Sequence, residues 1–568
     1  MPTPSCFIRG AKGSSWAGCE PSLKSMTTNK VENNQRDKIV SINPATLEPI
    51  GAVHLSTSAE CREAIQAAAK AFPIWGEMPL REKQRIFRQA KQILLRRRFE
   101  IAELLTREKG SPFPESLYVE VWASIEVLDY YSHSLPKALR PKRMSHHVPL
   151  FLHKKSAYHY QPLGPTLVIS PWNFPFLLAF YDVLSALTAG NTVVLRPSTS
   201  TPLVTMKIGE ILSEAGLPPG VLGVLACQVH QAEEMISHPE IRTIMFTGST
   251  GTGKRIMELA SRNLTNIVLE LGGKDPMIVL KDADIERAAR GAVWAGCMNC
   301  GQSCGAVERI YVSKAIEEEF TERVVKFTQE LEVGDPMEDS VDIGPMVTLG
   351  QLELVQEHIE DAAAKGAQIL CGGKRRGDLP GYFIQPAVIA KADHTMKVMT
   401  EETFGPVLPI MSFSDPEEAI SLANDCLFGL TSSVWTKDKK TALWMADRLE
   451  SGTVTINDHM TSFVEPGAIW GGIKQSGIGR SHGPYGLLDL VNIKFISYDN
   501  FKKSRLLWWY PYDQRFTRII ENSLVYFHHG RIKEKIKALF LLVPHLGRIL
   551  AAFPVGNLLK SFLRIFRK

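Results

Sequence analysis

Cysteine is sparse in this chain. Nine cysteines occur among 568 residues, and three of them crowd between Cys297 and Cys304. So few cysteines cannot supply the disulfide framework on which small secreted domains depend. The N-terminal segment also lacks the apolar stretch of about 7–15 residues that a secretory signal requires. The sequence therefore predicts a cytoplasmic protein in a reducing compartment, not one exported by the secretory route.

Net charge is also low, because the whole chain carries only +5. Residues 501–568 contain fourteen Lys and Arg against three Asp and Glu, a net +11, which leaves −6 for residues 1–500. A mildly acidic body argues against the basic groove of a nucleic-acid enzyme. The composition, with 44% hydrophobic and 22% charged residues, is globular and excludes collagen-like or disordered chains. We expect no nucleic-acid partner and a separate function for the basic tail.

No internal repeat is visible, and residues 1–34 are predicted to be a disordered leader. Good helix formers, with apolar residues at helical spacing, predict helices at Ala59–Phe72 and Arg81–Leu105. From Gln161 onward, short β-branched runs alternate with helical segments, which is typical of a mostly parallel sheet covered on both faces. The predicted strands are Thr166–Ser170, Thr192–Leu195, Val221–Cys227, Thr243–Phe246, Ile267–Leu271, Val407–Phe413 and Thr453–Ile456, with helices at Thr205–Ala215 and Ala232–Ile236.

Two glycines, Gly248 and Gly253, lie in the segment FTGSTGTG, directly after a predicted strand and at the start of a helix. Glycines at this place let a backbone approach a pyrophosphate, and the helix N-terminus favours its charge. A Gly/Ser/Thr turn between a strand and a helix is just as often only a turn. This segment alone leaves both interpretations open.

Glu270 ends an apolar strand in the segment LELGGK, so its carboxylate is predicted at the carboxyl edge of the sheet beside two glycines. Open α/β sheets bind ligands at that edge. A carboxylate in apolar surroundings has a raised pKa and can act as a general base. For a lone Glu, an N-cap or a surface ion pair is the more common explanation.

Cys304 lies in the segment NCGQSCGAVER, and Cys297, Cys300 and Cys304 share a C-x2-C-x3-C spacing. A metal site would need a fourth ligand, and neither a second CxxC nor a nearby His supplies one, so we expect no metal. A nucleophile needs one partly exposed thiol whose thiolate is favoured, while its neighbours can stay buried and inert. Because Gly301 and Gly305 would give a substrate close access, the pattern favours Cys304 as a nucleophile.

Asn173 lies in the segment SPWNFP at the end of another predicted strand. It can be a turn residue, but its amide is also a suitable donor to an oxyanion. A thiol, a carboxylate, an amide donor and a phosphate-binding turn, each at a strand end, together indicate acyl chemistry with a nucleotide.

These motifs resemble the aldehyde dehydrogenase superfamily across roughly residues 35–500. The resemblance implies that Cys304 attacks an aldehyde carbonyl, that Asn173 and a backbone N–H hold the oxyanion, and that Glu270 activates the water that hydrolyses the thioester. The matching segments are PWNFP at Pro171–Pro175, FTGST at Phe246–Thr250, LELGGK at Leu269–Lys274, N-x-G-Q-x-C at Asn299–Cys304, EETFGPV at Glu401–Val407 and GGIKQSGIGR at Gly471–Arg480.

The resemblance also implies an α/β fold with a Rossmann-like cofactor domain, an α/β catalytic domain and a small β oligomerisation element in a homodimer or homotetramer. His146–Gln161 is expected to pair with Leu488–Tyr498 in that element. The expected boundaries are 35–145 and 162–272 for the cofactor domain, 273–480 for the catalytic domain, 146–161 and 481–500 for the oligomerisation element, and 501–568 for the tail.

The cofactor implied by the resemblance is NAD or NADP. Arg196-Pro197-Ser198-Thr199 stands where the family usually has K-P-S-E, whose Glu accepts the ribose hydroxyls and repels a 2′-phosphate. Losing that Glu makes NADP better tolerated, so NAD is favoured only slightly. The residues expected to contact the cofactor are Ser170, Trp172, Arg196, Ser198, Thr199, Gly248, Ser249, Gly253, Leu271, Glu402 and Phe404.

Two further departures from the family are Asp182 and Ser481, which stand where it commonly has a Lys and a Glu. If that pair assists proton movement toward the general base, deacylation is altered here. The positions that line the aldehyde path in the family carry no charge in this chain, which favours an apolar aliphatic or aromatic aldehyde over a semialdehyde. These residues are Phe174, Leu178, Tyr181, Met298 and Trp470.

The basic tail contains two amphipathic segments, Arg531–Val543 and Asn557–Lys568. The run between them, Leu539–Leu559, contains Pro, His and Arg, which favours an interfacial helix over a spanning one. We expect peripheral contact with an anionic membrane through residues 530–568. Packing of the tail on the enzyme body or on a partner subunit is the alternative.

Two other functional classes stay open at this point. A CoA-acylating or acyl-transferring relative would use Cys304 with a thiol acceptor, but such enzymes tend to lack the base at the position of Glu270. A non-catalytic membrane-bound scaffold with the same fold would be expected to lose Cys304 or Glu270, and both are present.

Overall fold

The structure is a computed structural model that describes residues 38–133, 135–146, 151, 153–500, 506, 508–547 and 549. The predicted leader 1–34 and the amphipathic segment Asn557–Lys568 lie outside the described residues.

The strands form four sheets of two, seven, six and three strands. They are β1 (Lys38–Ile42), β2 (Pro49–His54), β3 (Lys142–Met144), β4 (Lys154–Pro162), β5 (Thr166–Ile169), β6 (Val193–Arg196), β7 (Leu222–Val224), β8 (Thr243–Thr247), β9 (Asn266–Glu270), β10 (Asp275–Val279), β11 (Val307–Ser313), β12 (Gln368–Cys371), β13 (Ala387–Ala390), β14 (Val407–Phe413), β15 (Thr431–Trp435), β16 (Thr453–Ile456), β17 (Gly477–Ile478) and β18 (Val491–Asp499).

Helices cover both faces of the two larger sheets and follow most of their strands. They are α1 (Ser58–Glu77), α2 (Leu80–Arg96), α3 (Arg98–Lys109), α4 (Phe113–Glu115), α5 (Ala123–His133), α6 (Leu177–Ala189), α7 (Pro202–Glu214), α8 (Val229–Ile236), α9 (Thr250–Ala260), α10 (Ile285–Cys297), α11 (Glu317–Gln329), α12 (Leu349–Ala364), α13 (Lys397–Thr400), α14 (Pro416–Asn424), α15 (Lys439–Ala446), α16 (Gly483–Leu488), α17 (Gln514–His528) and α18 (Ile532–Leu542).

The six-stranded sheet has the order β17-β9-β8-β5-β6-β7. Its five long strands are parallel, as the alternation of short apolar runs and helices predicted, and only β17 is antiparallel. The register puts Arg196 opposite Ile169, Ile169 opposite Phe246, and Thr247 opposite Glu270. The carboxyl ends of these strands therefore lie side by side at one edge, where an open parallel sheet binds ligands.

The seven-stranded sheet has the order β12-β13-β14-β11-β10-β15-β16, and only the β12–β13 pair is antiparallel. The proposed domain boundary near residue 272 falls between β9 of one sheet and β10 of the other. One strand crosses that proposed division, because β17 lies within residues 273–480 but pairs with β9. Through this pairing, the second half of the chain contacts the end of β9, where Glu270 lies.

The small sheet has the order β18-β4-β3. The predicted pairing of the two segments is confirmed, with β4 and β18 antiparallel from Val491 opposite Pro162 to Asp499 opposite Lys154. β18 is the edge strand, and its exposed residues include several large apolar ones: Ile493, Phe495, Ile496 and Tyr498.

The expectation of continuous helix over Arg81–Leu105 is wrong at one point. Arg97 leaves helical geometry, with φ −93° and ψ 9°, and so separates α2 from α3. Its guanidinium donates to Glu100 at 2.7 Å and to Glu210 on α7 at 3.0 Å. The bend lets α3 pack against α7, a tertiary gain that local helix propensity does not report.

The predicted helix at Arg531–Val543 is confirmed as α18, which packs against α17 as a hairpin. A small core joins the two helices through Ile519 and Leu542. Trp508, just before the hairpin, lies edge-on to Phe151 at 5.8 Å between ring centroids. Within the described part of the chain, no helix is both long enough and apolar enough to cross a membrane.

Candidate active site

Glu270 and Cys304 meet where the two large sheets adjoin. Glu270 is the last residue of β9 and is 6% exposed. The next turn, Gly272-Gly273, runs so close to Cys304 that a Cβ at Gly273 would collide with the Cys304 carbonyl oxygen. Gly471 faces the carboxylate, and a Cβ there would lie 3.0 Å from Glu270 Oε1. Glycine at both positions lets the backbone approach the two reactive groups closely.

The loop that presents Cys304 is strained. Asn299, Cys300 and Gly301 have φ of 54°, 55° and 70°, the left-handed region that L residues avoid. The Asn299 amide holds the strained turn by donating to the carbonyl oxygens of Asn173 at 3.0 Å and Gln302 at 3.1 Å. The Asn299 side chain of the N-x-G-Q-x-C segment therefore serves the shape of the loop.

Glycine is needed at the two positions beside Cys304 for close packing, which differs from the substrate access expected from the sequence. A Cβ at Gly301 would collide with the Gly405 backbone, and a Cβ at Gly305 would lie 2.9 Å from the Trp470 ring. They let the protein's own groups pack against the loop, so Trp470 reaches the residue next to Cys304. The expectation that they open a path for substrate is wrong for Gly301, since protein backbone fills that space.

Asn173 lies beside this loop and is 4% exposed. Its side-chain nitrogen donates to the Gln302 carbonyl oxygen at 3.1 Å, which fixes the amide next to Cys304. Because an amide nitrogen has two hydrogens, a second donor remains for a substrate oxygen. The structure therefore brings the predicted thiol, carboxylate and amide together.

A buried ion pair that the sequence analysis missed supports Asn173. Lys109 and Glu120 are fully buried and lie 2.6 Å apart. The Lys109 ammonium also donates to the Asn173 carbonyl at 3.2 Å, and Glu120 accepts from the backbone N–H groups of Phe176 and Leu177 at the start of α6. Such a pair is hard to see in the sequence, because charged residues in a helix are usually solvated.

The expectation that the Cys304 thiolate is favoured is wrong for the protein described here. Cys304 is partly exposed as a residue, but burial of the thiol raises its pKa above the ordinary value, and the charges of Asp275, Glu402 and Glu270 raise it further. The thiol is therefore protonated at neutral pH and needs a base. The carboxyl groups that raise the Cys304 pKa lie on distant segments, so the spacing of the cysteines in the sequence does not reveal them.

Burial raises the pKa of Glu270 to about 8. Ser481 lowers it and the charge of Asp182 raises it, but neither carboxylate oxygen has a protein hydrogen-bond partner of good geometry among the described residues. Burial also raises the pKa of Asp182 to about 7. Two poorly solvated carboxyl groups thus share this region, and Glu270 is poised near neutral pH as a general base should be.

The nucleotide turn is built as a cradle. Ser249 caps α9, and its hydroxyl accepts from the Thr252 N–H at 3.3 Å. A Cβ at Gly248 would lie 2.5 Å from the Phe246 ring, and one at Gly253 would lie 2.5 Å from Leu271. Because this helix start leaves backbone N–H groups for an anion, it fits a pyrophosphate.

The adenosine end of the proposed cofactor site lies along the ends of β5 and β6. Arg196 donates to the Cys227 carbonyl at 3.0 Å, while its Nε is buried without a partner among the described residues. Ser170 Oγ is likewise buried and unpaired there. Ser198 is buried and accepts from the Ser200 N–H, whereas Thr199 is exposed. Buried polar atoms without protein partners fit a polar ligand.

The nicotinamide end is expected near Glu402 and Phe404. Glu402 accepts from the Gly273 N–H at 2.9 Å, and Phe404 lies edge-on to Trp172 at 5.4 Å. A buried Lys274–Glu308 pair at 2.7 Å supports this loop, since Glu308 accepts from the backbone N–H of Phe404. Several of the predicted cofactor residues thus lie at or just beyond the carboxyl ends of neighbouring parallel strands, a place that fits NAD(P).

The five residues expected to line the aldehyde path belong to one apolar cluster, against which Cys304 packs. The rings of Phe174 and Phe463 lie 5.4 Å apart, and Phe463 lies 5.3 Å from Trp470. Leu178 and Met298 are buried in the same cluster. Sequence analysis missed Phe463, which joins the two predicted aromatic rings.

The other two cysteines of the C-x2-C-x3-C run are fully buried, and burial raises the pKa of the Cys297 thiol to about 12. Among the described residues, no group of three or more His, Cys, Asp or Glu side chains is placed to hold a metal ion. Cys297 and Cys300 therefore fit the inert core role.

Comparison with known proteins supports the resemblance found in the sequence motifs over most of the chain. Residues 30–496 match the model of the Aldehyde dehydrogenase family. A betaine aldehyde dehydrogenase of Rhizobium etli is 37% identical over 457 residues, covering 80% of this chain and 92% of that protein. Human retinaldehyde dehydrogenase 3 is 35% identical over 471 residues, covering 82% and 90% respectively.

Solved structures agree with this match. An NADP-dependent enzyme of E. coli has a TM-score of 0.79 at 33% identity and covers 82% of this chain and 95% of its own. The NAD+ complex of a Bacillus cereus aldehyde dehydrogenase has a TM-score of 0.78 at 32% identity and covers 82% and 94%. Both nucleotides therefore occur among proteins of this fold.

The fold and the family match together define a nucleotide-dependent oxidoreductase. The chain belongs to the aldehyde dehydrogenase family. It is an NAD(P)-dependent enzyme that oxidises an aldehyde.

Proposed function

We propose that this enzyme oxidises an apolar aliphatic or aromatic aldehyde to the carboxylic acid, with Cys304 as nucleophile, Glu270 as general base and Asn173 as oxyanion donor. The observation that carries the proposal is the meeting of these three groups at the strand ends, beside an uncharged aromatic cluster. The chemistry each residue supplies follows from its surroundings.

In the first half-reaction, the Cys304 proton has to leave because burial and three carboxylates keep the thiol protonated. Glu270, with a pKa of about 8, is the base that accepts this proton once it is ionised, at a pH near that value. The thiolate adds to the aldehyde carbon, and the second Asn173 amide hydrogen stabilises the resulting oxyanion. NAD(P)+ held at this site would accept the hydride when the thiohemiacetal on Cys304 is oxidised to the thioester.

Before the second half-reaction, Glu270 releases the first proton to solvent; it then removes a proton from water, and the resulting hydroxide attacks the thioester carbon. The C–S bond breaks, the carboxylic acid leaves, and the Cys304 thiolate takes the proton from Glu270, which regenerates both groups. Asp182 lies close enough for its charge to raise the Glu270 pKa. Burial, and to a lesser extent the neighbouring carboxyl, therefore favour the protonated form of the base and raise the Glu270 pKa to about 8.

We propose that the enzyme accepts both nucleotides, with NAD slightly preferred. Arg196 keeps a positive charge at the adenosine end, and the exposed Thr199 brings no negative charge to repel a 2′-phosphate. The relatives with solved structures include NAD+ and NADP enzymes, so the family fold accommodates either.

An aldehyde panel run with each nucleotide tests this proposal. Activity on linear aldehydes is expected to rise about fourfold in kcat/KM per added methylene until the path is filled, corresponding to roughly 0.8 kcal/mol per buried CH₂. Semialdehydes of equal length should be at least about tenfold poorer, because the buried Lys109 ammonium over the Phe174 ring is already paired with Glu120 and does not balance a second carboxylate. Reduced-cofactor absorbance reports the rates, and a preference for a semialdehyde would contradict the proposal.

We further propose that the protein is a homodimer or homotetramer joined through the sheet β18-β4-β3. The edge strand β18 exposes Ile493, Phe495 and Ile496, whose side chains are about half accessible. An exposed apolar edge strand is a template for pairing with another chain. Association through it would cover both the apolar side chains and the open backbone groups.

The tail is proposed to hold the enzyme peripherally on an anionic membrane surface. On α18, Ala538 and Leu542 are buried, whereas Ile532 and Phe540 are 69% and 71% exposed and share a second apolar stripe with Ile536. Lysines at 533, 535 and 537 accompany this stripe. An apolar stripe flanked by cations suits the interface of an anionic bilayer, where each Lys or Arg contributes about 1 kcal/mol.

Cosedimentation with vesicles tests the tail. Full-length protein is expected to bind vesicles containing phosphatidylserine at least about tenfold more strongly than neutral ones, with binding weakened by salt. The double variant Ile536→Ser, Phe540→Ser should lose most binding, because it removes exposed apolar groups without touching the hairpin core. Equal binding by full-length protein and residues 1–500 would contradict the proposal and favour packing on protein.

A further inference from the structure

Tyr181 and His482 form a stacked pair inside the aldehyde path. Their ring centroids lie 3.6 Å apart with 20° between the planes. Tyr181 belongs to α6, and His482 follows Ser481, the residue that influences the Glu270 pKa. His482 also lies 6.2 Å from Phe463 and 6.5 Å from Trp470. The pair is thus part of the aromatic cluster that packs against Cys304.

Each member of the pair carries a buried polar atom without a partner. Tyr181 is 0% exposed and His482 is 2% exposed. Neither Tyr181 Oη nor His482 Nδ1 has a hydrogen-bond partner among the described residues. A buried polar atom left unpaired destabilises the fold, and a phenylalanine would fill the space of Tyr181 without that penalty. Two such atoms within one apolar cluster therefore point to a ligand that pairs with them.

The backbone geometry at His482 also indicates a ligand-binding role for this residue. Its φ of 60° with ψ of 160° is unfavourable for a residue with a bulky side chain. Burial lowers its pKa to about 3, so the imidazole is neutral and offers one donor and one acceptor nitrogen. A hydroxyl can both donate and accept, so it can pair with a phenol and with either tautomer of the imidazole.

Tyr131 provides an internal comparison. It packs edge-on to Tyr181 at 6.4 Å, and it is also fully buried in the same cluster. Its hydroxyl, however, is paired with Ser185 Oγ at 2.6 Å. Ordinary packing in this region therefore satisfies a buried tyrosine hydroxyl, and Tyr181 is the exception that needs an explanation.

We infer that Tyr181 and His482 hydrogen-bond a neutral hydroxyl group on the aldehyde, which makes hydroxyl-bearing aliphatic or aromatic aldehydes the preferred substrates. The inference rests on the proposed oxidation of apolar aldehydes and narrows its substrate class. It distinguishes the substrate from fully apolar aldehydes, which leave both polar atoms unpaired, and from semialdehydes, whose charge the neutral pair does not balance.

Matched aldehydes test the inference. Benzaldehyde is compared with its ortho-, meta- and para-hydroxy derivatives, and a linear aldehyde with its terminal hydroxy derivative, by reduced-cofactor fluorescence. The wild-type enzyme is expected to favour the best hydroxy aldehyde over its parent about tenfold or more in kcat/KM. Tyr181→Phe should bring this ratio close to one, mainly by raising KM for the hydroxy aldehyde.

Two further variants separate recognition from packing. Tyr131→Phe removes a neighbouring tyrosine hydroxyl that is already paired and should keep the wild-type ratio. His482→Gly, which tolerates φ of 60° with ψ of 160°, should lower the ratio as Tyr181→Phe does. A wild-type enzyme that oxidises the parent aldehydes without a hydroxyl preference, or an unchanged ratio in Tyr181→Phe, overturns the inference alone. Oxidation of none of these uncharged aldehydes overturns the proposed apolar substrate class instead.

Discussion

Replacing Cys304 by alanine is expected to abolish aldehyde oxidation, lowering kcat by on the order of 10⁴-fold or more. The reason is that neither neighbouring thiol can take its place. Cys297 and Cys300 are fully buried, and burial raises their thiol pKa values above the ordinary range. Steady-state formation of reduced cofactor measures the loss, and cofactor binding, followed by fluorescence titration, should persist.

Cys297→Ala is the matched control for this experiment. Cys297 lies at the end of α10, only a short way from Cys304 along the chain, and packs in the core of the seven-stranded sheet. Its loss is expected to reduce stability slightly and to leave kcat within about twofold of wild type. Turnover that survives in Cys304→Ala but falls in Cys297→Ala would show that the nucleophile is misassigned.

Replacing Glu270 by glutamine is expected to stall the enzyme after the first turnover. Water is no longer activated, so steady-state turnover should fall by roughly 10²–10⁴-fold, whereas reduced cofactor still appears as a burst of about one equivalent per active site. The burst should also be slower than in wild type, since Glu270 is the proposed acceptor of the Cys304 proton. Stopped-flow absorbance resolves both phases.

The pH dependence of steady-state turnover is expected to follow the ionisation of Glu270. Only the ionised carboxylate is a base, and burial raises the Glu270 pKa to about 8, so wild-type turnover should rise with pH up to about that value. Glu270→Gln should lose this limb. Asp182→Asn removes the neighbouring charge that raises the Glu270 pKa, so it should move the limb to lower pH and retain multiple turnovers. Wild-type steady-state turnover in Glu270→Gln would show that another group is the base.

Much of the fold was predictable because its signals are local. Short apolar runs alternating with helices predicted the parallel sheet, and β14 and β16 begin and end where the sequence placed them. Where a tertiary contact competes with local propensity, prediction failed. The break at Arg97 exists because α3 packs on α7 and because Glu210, on that helix, accepts from the Arg97 guanidinium.

The residues of the candidate site likewise separate into those that the sequence predicted and those that it missed. Cys304, Glu270 and Asn173 were found because each lies in a distinctive segment at a strand end. The Lys109–Glu120 pair, Phe463 and His482 were missed, since their importance comes from contacts with segments far away in sequence. The expected thiolate at Cys304 was also wrong, because the carboxylates that raise its pKa belong to other elements.

The sequence by itself determined the family and the reaction class and pointed to the three residues proposed to react, because short segments fix residue identity and spacing without reference to distant neighbours. It also located the basic charge of the chain in the tail. Only the tertiary structure decided which groups are buried together: the protonated thiol at Cys304, the basic carboxylate at Glu270 and the unpaired polar atoms of Tyr181 and His482. Desolvation and charge depend on what surrounds a group in space, and that environment exists only after the chain has folded.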